Sequence, residues 1–240
     1  MKVNIKGNII PSSRKWLYDW LEIPACCPLD IEAAISAAAE GEEMELHINS
    51  DGGSLTAGTE IYTMLRDYKK GEVTCHVDGL AASAASVIAV AGRRVIMSPV
   101  ALMMIHNASC YAEGNRHDME TAAQTLSAAD EAIAAAYIAK AGKSREEVLA
   151  LMDKETWLTA ARAVELGLAD EIEDFGDGGN TAGMNAVALT NSAGMNDRVY
   201  AKIEEMILRS QGGKPIAGIN NIAAETARRE LDILKLKNKV

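Results

Sequence analysis

The stretch Asp78-Gly79-Leu80-Ala81-Ala82-Ser83-Ala84-Ala85-Ser86 sets one serine among residues too small to cover it. Val73 to Val77, just before it, reads as an apolar strand, and Ser83 to Val90 reads as a short apolar helix closed by Gly92. Downstream, Ala101-Leu102-Met103-Met104-Ile105 reads as a second strand and delivers His106 at its end. A catalytic serine needs these parts: a sharp strand-to-helix turn that exposes the hydroxyl, a helix N-terminus beside it, and a base carried by another strand.

Working outward, strands and helices alternate, which predicts an α/β fold. Lys2 to Ile10 is a predicted strand stopped by Pro11, and Asp30 is placed as the N-cap of a helix through Ile31, Ala34, Ile35 and Ala38 with Gly41 behind it. Met44 to Ser50 alternates with period two, Asp51-Gly52-Gly53 ends that strand, and Ala57, Ile61, Met64 and Leu65 mark a helix. Val95 to Met97 is a further short strand. Asp118 to Ala141 is one long helix, stopped by Gly142, on which Met119, Leu126 and Ile133 stand one heptad apart and Ala122, Ala129 and Ala136 form a second series. Such a strip exceeds what a small core needs and suits a partner subunit. Ser144 and Glu147 form a capping box for the next helix, Thr159 begins another that runs to Gly167, and a short strand follows around Glu171-Ile172.

Of the 240 residues, about half are hydrophobic, enough for one substantial core over residues 1–174. Residues 175–196, rich in Gly, Asn, Ala and Thr, read as a flexible linker, and residues 197–240 as a helical, basic tail. The net charge is −10, and the acidic excess lies in the body, since the tail from Asp197 is basic. An acidic body argues against nucleic acid as the main partner. No apolar run is long enough for a membrane span and the first residues do not read as a signal peptide. The four cysteines, Cys26, Cys27, Cys75 and Cys110, lack CxxC spacing and read as reduced, buried thiols of a cytoplasmic protein.

Three features bear on chemistry, and each alone has an ordinary explanation. Ile48-Asn49-Ser50-Asp51-Gly52-Gly53 could be a simple turn, the Ser83 segment tight helix packing, and His106 a core histidine. Their order, followed by Lys154-Glu155-Thr156-Trp157-Leu158-Thr159-Ala160 and Glu165-Leu166-Gly167-Leu168-Ala169-Asp170-Glu171, resembles the proteolytic subunit of the Clp protease. The resemblance covers most of residues 44–174 and is loose before that.

This resemblance implies a crotonase-like α/β spiral with the long helix as a handle, a serine endopeptidase activity on protein or peptide substrates without a cofactor or metal, and stacked heptameric rings. It makes Ser83 the nucleophile, His106 the general base and Glu155 the third member, where the family carries an aspartate; Asp153 is the alternative for that place. Ser86 and Ser98 lack the flanking pattern of a nucleophile. The backbone N–H groups of Gly53 and Ala84 would form the oxyanion hole, and an extended substrate would add beside Gly52 and Gly53. The chain starts close to its first core strand and continues well past residue 174, as do the Clp-like head maturation proteases of phages and prophages; Trp16, Tyr18 and Trp20 also resemble that subgroup. An AAA+ unfoldase partner is on this reading left open and disfavoured. No Walker-type GxxxxGK[ST] segment occurs in the chain.

Two other readings stay open at this stage. A crotonase-type acyl-CoA enzyme would use the same paired N–H groups without a serine nucleophile. A catalytically degenerate ring could serve as a capsid-assembly scaffold, which Glu155 and the tail favour. A Cys110–His106 pair is a minor third thought, poorly placed for thiolate chemistry.

Overall fold

The computed structural model describes residues 1–175. Strands and helices alternate as the sequence predicts: β1 (Lys2–Ile9), a 3₁₀ turn (Ser12–Arg14), α1 (Lys15–Leu21), β2 (Ala25–Cys26), α2 (Pro28–Ala37), β3 (Met44–Gly53), α3 (Leu55–Arg66), β4 (Val73–Ala82), α4 (Ala84–Ala89), β5 (Arg94–Met97), β6 (Leu102–Ile105), α5 (Arg116–Ala141), α6 (Arg145–Asp153), β7 (Thr156–Thr159), α7 (Ala160–Glu165) and β8 (Glu171–Ile172). The expected tail, and the expected linker apart from Phe175, lie outside the described residues.

The sheet runs β2-β1-β3-β4-β5-β8, every neighbouring pair parallel. β4 forks. Its first half, Thr74–Val77, pairs with Arg94–Met97 of β5, whereas its last three residues, Leu80–Ala82, pair with Leu102–Met104 of β6. The switch falls at Asp78-Gly79, where the partner strand β3 also changes register between Ile48 and Ser50. β7 then closes on β6 in antiparallel sense.

β3 shows why the period-two reading holds: Met44, Leu46, Ile48, Ser50 and Gly52 are buried, while Glu45, Asn49 and Asp51 are exposed. On the polar face His47 stacks on His76 of β4, ring centroids 4.8 Å apart, and its Nδ1 lies 2.9 Å from Asp78 Oδ1. On the apolar face α4 is buried along its whole length, and Ile61 and Leu65 of α3 complete the layer. Only the C-terminal half of α5 enters this core, through Ile133, Ala134, Ala136 and Tyr137. In the N-terminal half Met119 is 39% exposed, so that end of the heptad strip is not covered by the described residues.

The differences from expectation have local causes. α2 starts at Pro28, not after Asp30, because proline presets the first helical φ; Asp30 sits one turn in, its Oδ2 accepting the Cys27 N–H at 2.9 Å. β3 and β4 run further than predicted because their glycines and alanines still find ladder partners in β1 and β6. β7, α1 and β2 lack a periodic signature of sufficient length and were not expected as elements. Cys26, Cys27 and Cys75 are buried free thiols, but Cys110 is exposed on the polar loop between β6 and α5.

Candidate active site

Ser83 occupies the single-residue joint between β4 and α4 at φ 54°, ψ −127°. A residue with a Cβ is strained in that region and stays there only when its surroundings hold it. They do. The Ser83 N–H donates to Met104 O at 3.1 Å, and the Ser83 carbonyl accepts from the N–H groups of Ser86 at 2.9 Å and Val87 at 3.3 Å. The Ser86 hydroxyl donates to the same carbonyl at 2.7 Å. Small neighbours let the turn pack tightly: a Cβ on Gly58 of α3 would stand 3.0 Å from Ala84 Cβ.

The fork in β4 brings the histidine to this turn. Because Ala82 pairs with Met104 in parallel register, the chain leaving β6 passes beside Ser83 two residues later. His106 Nε2 lies 2.9 Å from Ser83 Oγ. With Nε2 accepting the serine proton, the imidazole carries its own proton on Nδ1. The loop after His106 is tied down on both sides: the Ala108 N–H donates to Asp130 Oδ1 of α5 at 2.6 Å, and Asn107 Nδ2 donates to Asp153 Oδ1 at 2.8 Å.

The two carboxylates proposed for the third place are near but otherwise engaged. Antiparallel register pairs Ile105 with Thr156, the last pair of the ladder; His106 follows it on one side and Glu155 precedes it on the other. The Glu155 backbone turns there with φ 47°. Its Oε1 accepts from the Trp157 indole N–H at 3.3 Å, and Asp153 is held by Asn107. Neither carboxylate bonds to His106 in this conformation.

Gly52 sits against the Ser83 turn, and Gly53 against Ile9 of β1. The Ser50 hydroxyl donates to Gly7 O at 2.5 Å and accepts the Gly52 N–H at 3.1 Å, which fixes the strand end. A Cβ on Gly52 would lie 2.7 Å from both Ala82 O and Ser83 Cβ, and one on Gly53 2.2 Å from Ile9 O. No side chain fits at either position. Gly53, Ser83, Ala84 and His106 share one cavity of about 210 Å³, whose apolar lining comes from Leu55, Val87, Ile133 and Tyr137. Gly52 lies beneath the turn rather than in the cavity.

Two residues of this site were not expected from sequence. Ser86, 0% exposed, also lies 2.8 Å from the Tyr137 hydroxyl of α5. Burial pushes the Tyr137 phenol up beyond its ordinary value, the Ser86 hydrogen bond opposing this in part, so it remains a protonated donor. The only sequence signal was a polar residue within an otherwise apolar helix, one turn after Ser83. Cys110 is not bonded to His106. Among the described residues no three His, Cys, Asp or Glu side chains are grouped to hold a metal ion, and no helix is long and apolar enough to cross a membrane.

With this geometry in hand, comparison with known proteins is specific. The family model for Clp protease matches residues 33–175, more than half of the chain. The chain belongs to the Clp protease family. The ATP-dependent Clp protease proteolytic subunit of Bacteroides fragilis is 34% identical over 134 residues, 55% of this chain and 64% of that protein. The subunit of Porphyromonas gingivalis is 32% identical over 140 residues, covering 58% and 63%, and proteolytic subunit 2 of Tropheryma whipplei is 32% identical over 134 residues, covering 55% and 73%. The chain thus spans less than two thirds of the first two relatives. The Clp family match takes in the Ser83 turn, His106, Glu155 and the glycine pair, and leaves β1, α1, β2 and the first residues of α2 outside.

Proposed function

We propose that the chain is a serine endopeptidase that hydrolyses peptide bonds in protein substrates. The observation that carries this is the 2.9 Å contact between His106 Nε2 and Ser83 Oγ at the mouth of a cavity lined by apolar side chains. His106 takes the Ser83 proton as Oγ attacks the scissile carbonyl carbon. The resulting oxyanion is held by the N–H groups of Gly53 and Ala84. Loss of one such donor typically costs roughly 3 kcal/mol of transition-state stabilisation. His106 returns the proton to the leaving amine, an acyl-enzyme remains on Ser83, and water activated by the same imidazole releases it.

Glu155 is the proposed third member. It directly precedes Thr156, the last β7 partner of Ile105, and rotation of its side chain from the Trp157 indole toward Nδ1 would fix the tautomer and stabilise the imidazolium. Extended substrate lies along Gly53, with a side chain directed between Leu55 and Ile133. The uncovered N-terminal end of the α5 strip, at Met119, seats further copies of the chain in a homo-oligomeric ring, as the family resemblance implies. The aromatic run Trp16, Tyr18, Trp20 supports the finer reading of a phage-type head maturation protease acting on capsid and scaffold proteins.

The acyl-CoA and scaffold readings each leave a serine and histidine at hydrogen-bonding distance without a purpose, and so are less well supported. The test is digestion of an unfolded, alkylated protein without nucleotide. Fragments are expected with the natural chain and none with Ser83→Ala or His106→Ala. Equal cleavage by the Ser83→Ala chain would overturn the proposal.

A further inference from the structure

Ser86 and Tyr137 form a buried chain behind the reacting pair that the mechanism above does not use. A serine hydroxyl has one proton. Ser86 directs its proton to the Ser83 carbonyl at 2.7 Å, so the 2.8 Å contact with Tyr137 must run the other way, the phenol donating to Ser86 Oγ. Ser86 and Tyr137 are 0% and 1% exposed, so the chain Tyr137 O–H to Ser86 O–H to Ser83 C=O is closed to water. In such surroundings consecutive hydrogen bonds polarise and strengthen one another.

The end of that chain is the carbonyl of the one strained residue in the joint. The ψ of Ser83 is set by where its carbonyl points, and that ψ decides where the Ala84 N–H is aimed. The α4 backbone alone supplies the Ser86 and Val87 N–H groups, the second at a long 3.3 Å. The side-chain bond from Ser86 is the shortest of the three. We infer that Ser86 and Tyr137 are positioning residues for the peptidase reaction, holding the Ser83 carbonyl so that Oγ meets His106 and the Ala84 N–H faces the oxyanion. This rests on the reading of Ser83 as nucleophile.

The phenol is held protonated by burial, so the chain keeps its direction across the range in which histidine titrates. Loss of the phenol leaves Ser86 free to turn, and loss of Ser86 leaves the Ser83 carbonyl on backbone donors alone. Tyr137 is also among the residues that line the cavity. Tyr137→Phe keeps that ring, which separates a positioning role from substrate contact.

The test compares the natural chain, Tyr137→Phe, Ser86→Ala and the double variant, each well below its own melting temperature. It measures the rate of labelling by a fluorophosphonate and the kcat and KM for a peptide. Misplacement of a reacting group by about 1 Å can cost roughly 10²-fold, and a smaller shift less. The expected result is a fall of about tenfold in kcat and in labelling rate for either single variant, with KM unchanged within about twofold, and no further fall in the double variant because both side chains act through one carbonyl. Natural-rate labelling by the folded Ser86→Ala and Tyr137→Phe chains would overturn the inference while leaving Ser83 as nucleophile. A loss confined to KM would overturn it in favour of substrate contact. Should Tyr137→Phe not fold, Ser86→Ala decides alone. Absence of Ser83 labelling in the natural chain would overturn the peptidase reading and this inference with it.

Discussion

Ser83 keeps a backbone conformation that its own side chain disfavours, and its neighbours are chosen for how little they obstruct. Gly52 is the sharpest case, since a Cβ there meets Ser83 Cβ and Ala82 O at 2.7 Å, at a φ of 100° that favours glycine. Gly52→Ala is expected to lower the melting temperature, with strain of about 1–3 kcal/mol, and to suppress labelling of Ser83; unchanged labelling would separate the glycine from the nucleophile turn. Substitution distinguishes the two carboxylates. Glu155→Gln is expected to lower kcat by about 10²–10⁴, as removal of a triad acid does, whereas Asp153→Asn should change it little. The reverse order, read from steady-state peptide hydrolysis, would assign the third place to Asp153. At this scale the Ser83 turn and the His106 strand end are legible because their signals are local, whereas Glu155 enters only through the family resemblance. Tyr137 and Ser86 are not legible. Their contact joins residues 51 apart, and no spacing rule connects them.

Elements differ in how far local sequence determines them. α6 was readable from its first residue: Ser144 Oγ accepts the Glu147 N–H at 3.2 Å, and Glu147 Oε2 accepts the Ser144 N–H at 3.0 Å. Ser144→Ala is expected to reduce stability by about 1 kcal/mol in urea unfolding, with no effect on labelling of Ser83. A loss of labelling at full stability would show that α6 bears on the site through more than its fold. By contrast, the far half of β4 is a strand because β6 pairs with it. Nothing in Gly79-Leu80-Ala81-Ala82 demands extension, and the sequence there reads equally well as the start of α4. β7 is similar: four residues with two exposed, made a strand by β6 alone. These two pairings, both invisible to periodicity, bring His106 to Ser83 and set Glu155 at the end of the β6–β7 ladder.

For the whole molecule, burial predicts behaviour that no single element reveals. Burial pushes the Cys26 and Cys75 thiols up to about 12 and raises that of Cys27, while Cys110 is exposed. Alkylation of the native chain near pH 8 is therefore expected to modify Cys110 alone, and all four cysteines after denaturation, by intact mass and peptide mapping. Early modification of Cys75 would contradict the packing of β4 against α4. The strip on α5 makes a second prediction. Met119→Glu combined with Leu126→Glu should lower the sedimenting mass, and an unchanged mass would move the proposed assembly surface elsewhere. The alternation of strands and helices was legible at this scale because one apolar face per element is what a layered core requires. Activation of Ser83 as a nucleophile is read by mass spectrometry of the chain after reaction with a fluorophosphonate. A single adduct on Ser83, lost in His106→Ala, is the predicted result; a folded chain that stays unlabelled would contradict it.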